Sequence, residues 1–164
     1  MKKILPKVLL AIVLLLVVIQ FFRPERNSTA ADPLNSIERH YAVPNEIGVI
    51  LQTSCYDCHS NNTEYPWYSN VQPLAWWLQD HVNEGKRKLN FDEFNTYDAK
   101  KKKHKLDEVV EMIEEDEMPL TSYTLVHRDA SLSPENKTKI INWARELQKT
   151  ITYLHDRAND NRLC

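Results

Sequence analysis

The chain has 164 residues, of which 42% are hydrophobic and 27% are charged, and this fits one globular domain. Its two glycines, Gly48 and Gly85, argue against a β-sandwich or barrel, which needs many tight turns, and cannot form a glycine-rich phosphate-binding motif. The net charge of −2 gives no basis for nucleic acid binding.

The first predicted element is an apolar helix near the N-terminus. Residues 8–19 are apolar without a break and follow three lysines, a pattern typical of secretory signals. As a helix, residues 4–22 would span about 28 Å, close to the thickness of the hydrocarbon core of a bilayer. Small residues suited to cleavage appear only at 28–30. An uncleaved signal anchor over residues 1–23, forming a single transmembrane helix, is therefore favoured over a cleaved signal peptide.

Helices dominate the predicted domain. The polar residues 24–42 are expected to form a tether. Beyond it, apolar residues three and four positions apart predict helices, joined by loops at 60–73 and 119–132. The predicted helices cover 44–54, 74–84, 92–97 and 100–116, with a last helix that begins at Ser133 and Pro134. Gly85 is predicted to cap the 74–84 helix at its C-terminal end.

The last predicted helix has one apolar stripe. The residues of that stripe are Ile140, Ala144, Leu147, Ile151 and Leu154. No segment shows a convincing strand pattern. The predicted fold class is therefore all-α, with a domain over residues 43–156 and a C-terminal tail over 157–164.

The motif Cys55-x-x-Cys58-His59 carries the clearest chemical signal. It is the pattern for covalent attachment of a c-type haem. Two thiols three positions apart on a turn can reach the two vinyl groups at one haem edge. The histidine that follows is then placed to bind iron as the proximal ligand. The motif predicts one covalently bound haem c held by Cys55 and Cys58, with His59 as an iron ligand.

Three other interpretations of the two cysteines are open. A thiol–disulfide redox pair normally lies in a βαβ pattern, which is missing from the sequence around Cys55. A zinc site needs more ligands, and the third cysteine, Cys164, is the last residue. A structural disulfide is compatible with export. A non-haem thiol or zinc module therefore stays an alternative.

Met118 is the leading candidate for the second iron ligand. It lies between Glu117 and Pro119, where a predicted helix has ended and a loop begins. A thioether is a soft ligand that favours ferrous iron and raises the reduction potential. Met118 could instead fill core space, as methionines often do. Histidines elsewhere in the domain are alternatives, and His81 follows Trp77 by one helical turn.

Aromatic residues are a third element of the predicted site. Tryptophan and tyrosine bury large areas and offer N–H or O–H groups to haem propionates. The candidates for contact with the haem are Trp67, Trp76 and Trp77. An aromatic core without a cofactor would give the same sequence pattern.

These motifs together resemble the haem-binding domain family of small exported bacterial proteins. The elements that carry the resemblance are Cys55, Cys58 and His59, Tyr65 to Tyr68, Pro73, Trp76 and Trp77, His81, Gly85, Leu89 to Phe91 and Met118. The resemblance covers roughly residues 35–150 and departs from relatives at Leu120, where they often have a second proline. It implies an all-α, cytochrome c-like domain with one covalent haem, and it implies no particular reaction.

The sequence as a whole predicts a membrane-anchored monohaem c-type cytochrome. Its domain would face the bacterial periplasm from the inner membrane, or be exported after signal cleavage. It would transfer single electrons between redox partner proteins, with His59 and Met118 as iron ligands. The main alternative is a peroxidase-like enzyme or a gas or redox sensor with an open or labile sixth position.

Overall fold

The computed structural model describes residues 4–29 and 33–160; most of these residues are helical, and none of them forms a β-strand. The helices are α1 (Leu5–Ile19), α2 (Ile37–His40), α3 (Asn45–Ser54), α4 (Tyr56–His59), α5 (Leu74–Lys88), α6 (Ala99–Glu114), α7 (Thr121–Thr124) and α8 (Pro134–Asp160). Three short 3₁₀ helices cover Trp67–Asn70, Phe91–Thr96 and Arg128–Ala130. The predicted all-α fold is confirmed.

The core is built around α6 and α8, which pack against each other. The predicted stripe on α8 is buried from Ile140 to Ile151, whereas Leu154 is exposed. Facing residues on α6 and apolar residues of α3 complete the core, together with Phe91 and Phe94 of the second 3₁₀ helix. The residues contributed by α6 and α3 are Leu106, Val110, Ile113, Ile47, Ile50 and Leu51. Burial of this apolar surface supplies most of the driving force for folding.

Helix starts follow the predicted capping chemistry. The Ser133 hydroxyl accepts a hydrogen bond from the Asn136 N–H at 3.1 Å, and Pro134 is the first residue of α8. Asp98 caps α6 in the same way, by accepting from the Lys101 N–H at 2.7 Å. These side chains satisfy N–H groups that have no partner within the helix.

The predicted cap at Gly85 is wrong. Helix α5 continues through Gly85 to Lys88 and ends where Leu89 takes an extended conformation. The last turn carries Lys86, Arg87 and Lys88, whose charges interact favourably with the negative end of the helix dipole. Gly85 therefore has a different role from ending the helix.

The predicted tether and tail are also more structured than expected. Asn27 and Ile37 are buried, and Ile37 belongs to the core, so the domain includes residues before position 43. Asn27 donates to the Ser60 carbonyl at 3.0 Å and accepts from the Lys86 ammonium at 2.5 Å. Helix α8 continues past 156 to Asp160, and the rest of the predicted tail, with Cys164, lies outside the described residues.

Helix α1 has no buried residue. Its fifteen residues are apolar except for Lys7, and Pro6 lies in the first turn. In the part of the chain that the structure describes, no helix has both the length and the hydrophobicity needed to span a membrane.

Candidate functional site

The two cysteines and the histidine of the motif lie on one turn. Helix α3 ends at Ser54, and the Cys55 carbonyl then accepts from the Cys58 N–H at 3.2 Å and from the His59 N–H at 3.0 Å. This hydrogen bonding closes the turn that becomes α4. Because the turn is closed by backbone groups, it sets the spacing of both thiols and the imidazole.

Gly85 is the position where α5 touches this turn. A Cβ atom at Gly85 would lie 2.6 Å from the Cys58 carbonyl oxygen and 3.0 Å from the Cys58 Cβ. Real Cβ atoms do not approach a backbone oxygen so closely. The glycine is therefore needed for close approach of two backbones rather than for a turn.

His59 is held in one tautomer. Its Nδ1 lies 3.0 Å from the Leu89 carbonyl oxygen, which can only accept, so Nδ1 carries a proton that it donates. Burial lowers the pKa of the imidazole and keeps it neutral. In a neutral ring with a protonated Nδ1, the Nε2 lone pair is available to bind a metal. The Leu89 carbonyl also fixes the orientation of the ring, as such partners do for histidines that bind metals.

A cleft of about 310 Å³ brings the main predicted residues together. Cys55, Cys58 and His59 line one part of it, and Met118 lines it from the loop after α6. The other lining residues are Ser54 and Asp57, five residues of α5 (Asp80, His81, Glu84, Gly85 and Lys88), and Pro119, Leu120 and Tyr123. Met118 is separated from the motif by 59 residues in sequence, so only the fold places it there.

The end of α6 directs the chain towards Met118. The Glu117 and Met118 N–H groups both donate to the Met112 carbonyl, at 2.9 and 3.1 Å, and the Asp116 N–H reaches the Ile113 carbonyl. Asp116 has a φ of 61°. This is the Schellman pattern that ends many helices. Glycine usually occupies the left-handed position, so the aspartate concealed the motif in the sequence.

A hydrogen bond joins the Met118 loop to the cysteine motif. The Tyr123 hydroxyl donates to an Asp57 carboxylate oxygen at 2.5 Å, and Asp57 lies between the two cysteines. Burial and this carboxylate raise the pKa of Tyr123, which keeps the hydroxyl protonated. Tyr123 also stacks on the His127 ring, whose Nε2 is 2.8 Å from the Tyr68 hydroxyl. Sequence reasoning missed the roles of Asp57 and Tyr123, since no local pattern relates residues so far apart.

The three predicted tryptophans are separated by the structure. Trp67 and Trp77 line a second cavity of about 300 Å³, which shares Cys58, His81, Leu120 and Tyr123 with the first. The indole of Trp76 instead donates to the Phe22 carbonyl at 2.7 Å, and Trp76 lines neither cavity. The prediction that Trp76 contacts the cofactor is therefore not supported by its position.

His81 lines both cavities. Its Nδ1 lies 2.8 Å from the Trp77 carbonyl oxygen, and the two rings are 4.4 Å apart. Nδ1 therefore carries a proton, and Nε2 is left without one in the neutral ring. His81 is thus a second side chain in the cleft whose imidazole nitrogen could act as a base or a ligand.

The two motif thiols are poor nucleophiles in this environment. Burial raises the pKa of Cys55 to about 12 and that of Cys58 to about 11. Redox-active thiols have lowered pKa values, because the thiolate is the reactive form. The environment therefore disfavours a thiol–disulfide exchange site. Among residues 4–29 and 33–160, no group of three or more His, Cys, Asp or Glu side chains is arranged to hold a metal ion.

The family model described as a haem-binding domain matches residues 14–146, most of the chain. No curated protein and no solved structure matches the chain.

Proposed function

The chain belongs to the haem-binding domain family, and from this premise we propose that it is a monohaem c-type cytochrome that transfers single electrons. The observation that carries the proposal is the shared cleft, which Cys55, Cys58, His59 and Met118 all line. When bound, haem supplies the one-electron couple of its iron. The protein contributes attachment, axial ligands and a partly apolar environment.

The two cysteines fit covalent attachment. Cys55 and Cys58 are both free thiols. Forming a thioether adds the sulfur and its proton across a vinyl double bond, so a thiol consumes no oxidant in that step. The turn closed by the Cys55 carbonyl keeps the two sulfurs at a fixed spacing.

His59 and Met118 are the residues that would hold the haem iron. His59 is neutral and has its Nδ1 proton engaged by the Leu89 carbonyl, which leaves Nε2 for iron. Met118 offers a neutral thioether that stabilises ferrous iron. The Schellman turn before Met118 and the Tyr123–Asp57 hydrogen bond after it hold the loop against the motif.

The proposal extends to location and partners. Helix α1, which has no buried residue, lies within the predicted anchor over 1–23. We assign it to the bacterial inner membrane, with the haem domain in the periplasm, where c-type haem is attached. Electrons would pass to and from redox partner proteins.

Absorption spectra of the full chain test the proposal. The chain is produced in a host that matures c-type haem and is recorded oxidised and reduced, alongside Met118→Ala and Met112→Ala. Met112 is a matched control, since it is a half-buried methionine on α6 that does not line the cleft. We expect covalently retained haem in all three proteins and a methionine–iron charge-transfer band that only Met118→Ala loses. Wild-type protein without haem would refute the proposal.

His81 favours one alternative function. If the sixth position were open or labile, its imidazole in the cleft could serve a sensor or a peroxidase-like enzyme as a distal base. In that case the wild-type protein would show high-spin bands and would bind carbon monoxide readily. A six-coordinate His59–Met118 protein would not, so carbon monoxide binding separates the two functions.

A further inference from the structure

Helix α1 is fixed to the domain at its C-terminal end. The Gln72 N–H donates to the Gln20 side-chain oxygen at 2.9 Å, and the Gln20 amide donates back to the Gln72 carbonyl at 3.2 Å. Two residues later, the Phe22 carbonyl accepts from the Gln72 amide at 3.1 Å and from the Trp76 indole at 2.7 Å. These four bonds hold the end of α1 against the start of α5 and replace the free tether expected from the sequence.

Exposed apolar side chains surround this attachment. Phe21 and Phe22 are 83% and 64% exposed on the α1 side, and Trp67 is 79% exposed on the adjacent 3₁₀ helix. Val71 and Leu74 are also exposed and lie on either side of Gln72 in the sequence. We refer to these five residues as the interfacial patch.

The same medium is expected to cover α1 and the patch. No side chain of α1 is buried, although nearly all of them are apolar. Since the four hydrogen bonds fix the helix to the domain, whatever covers the helix reaches the residues beside its end. Tryptophan and phenylalanine are suited to the boundary between hydrocarbon and water. Arg23 follows Phe22 directly, where a cation would meet anionic headgroups.

We propose that the interfacial patch contacts the surface of a lipid bilayer and holds the domain against it. We call this contact the seat. This inference rests on the proposed membrane anchor and is independent of the iron ligands. Trp67 and Leu74 also line the cavity that contains Cys58. The seat therefore turns this side of the haem cleft towards the membrane instead of leaving the domain free to rotate on a linker.

Hydroxyl-radical footprinting of the full chain in lipid nanodiscs tests the seat. The discs contain phosphatidylcholine and phosphatidylglycerol, and the oxidation of Trp67 is followed by mass spectrometry. In the wild-type protein we expect Trp67 to react slowly despite its exposure, and Phe21, which lines neither cavity and so cannot be shielded by haem there, to react slowly as well. Leu74→Glu places a charge in the patch and should restore fast oxidation of Trp67. Tyr153 on α8, which is 62% exposed, serves as the internal reference.

Leu154→Glu is the matched control. Leu154 lies on α8 and is 49% exposed, against 48% for Leu74, so both variants place the same charge at similar exposure. The control should leave Trp67 protected. If Leu74→Glu does not fold, Gln20→Ala removes two of the four bonds of the attachment and should also increase the oxidation of Trp67.

Three results are decisive. Slow oxidation of Trp67 that Leu74→Glu or Gln20→Ala abolishes supports the seat. Equal oxidation in the wild-type and variant proteins, with the chain still on the discs, overturns the seat alone. A chain that separates from the discs on size-exclusion chromatography overturns both anchor and seat, whereas the haem spectrum tests the cytochrome proposal separately.

Discussion

Replacing Gly85 by alanine tests the close approach of α5 to the cysteine motif. The added methyl group would meet the Cys58 carbonyl oxygen at 2.6 Å. The oxygen belongs to the backbone of a turn that also fixes His59, so it cannot rotate away as a flexible side chain would. Either α4 or the whole of α5 must move.

Two opposing effects set the magnitude. Alanine in place of glycine within a helix gains about 1 kcal/mol from helix propensity. Overpacking a rigid site costs about 1–3 kcal/mol, and a backbone contact belongs at the upper end of that range. Gly85→Ala should therefore destabilise the protein by roughly 1–2 kcal/mol, which lowers Tm by about 3–6 °C for a chain of this size.

Gly48→Ala is the matched control. Gly48 also lies within a helix, α3, but a Cβ there would meet nothing within 4 Å. Only the propensity gain remains, so Tm should rise by about 2–4 °C. Thermal unfolding of the haem-loaded proteins, followed by circular dichroism, gives both values. If Gly85→Ala proved as stable as Gly48→Ala, the close approach would not be the reason for the glycine.

Three further predictions concern the cleft and its loops. Tyr123→Phe removes a hydrogen bond to a carboxylate, which is worth about 1.5 kcal/mol at a half-buried position. The variant should therefore raise the fraction of haem that binds carbon monoxide by about tenfold. Tyr153→Phe, on the exposed face of α8, should leave that fraction unchanged. At pH 8.5 in the haem-free chain, iodoacetamide should alkylate Cys58 about a hundredfold more slowly than in urea and Cys55 about a thousandfold more slowly, because their pKa values are about 11 and 12. Because unfolding lets these thiols ionise, the free energy of unfolding should also fall as the pH rises above about 9, and a flat profile between pH 9 and 11 would contradict the raised pKa values. Asp116→Gly should stabilise the chain by about 0.5–1 kcal/mol, because glycine takes a positive φ without strain. The substitution loses only an exposed ion pair with Lys137. Glu115→Gly, one residue earlier, should instead destabilise the chain.

The chemical elements of the candidate site can be read from the sequence, because they are local patterns. The spacing of Cys55, Cys58 and His59 needs only one turn of chain, and Met118 stands beside a proline in the loop that follows a predicted helix. Their meeting in one cleft confirms that these residues are close together, while the iron ligation stays a prediction. The stripe on α8 was also readable, since a helical period requires no knowledge of the partner helix.

The parts that the sequence could not predict depend on distant contacts. Gly85 was interpreted as a helix end, because the Cys58 carbonyl that explains it lies in another element. Asp57 and Tyr123 are 66 residues apart, and nothing in either local segment marks the pair. Residues 24–42 looked like a linker from composition, yet the buried Asn27 and Ile37 join the domain through partners that only the fold supplies.

The two sides of the cleft are held with different strength. This difference separates the retention of haem from the binding of the second iron ligand. The cysteine side is fixed by backbone contacts to α5, by the His59–Leu89 hydrogen bond and by the Asn61 N–H bonded to Asp92 at 2.6 Å. The loop that carries Met118 is tied to the rest of the domain by side-chain hydrogen bonds of Tyr123 to Asp57 and of His127 to Tyr68. Haem retention should therefore tolerate changes that alter the sixth ligand. If the proposed electron-transfer role is right, weakening the Tyr123–Asp57 bond would shift the protein towards ligand sensing without loss of its haem.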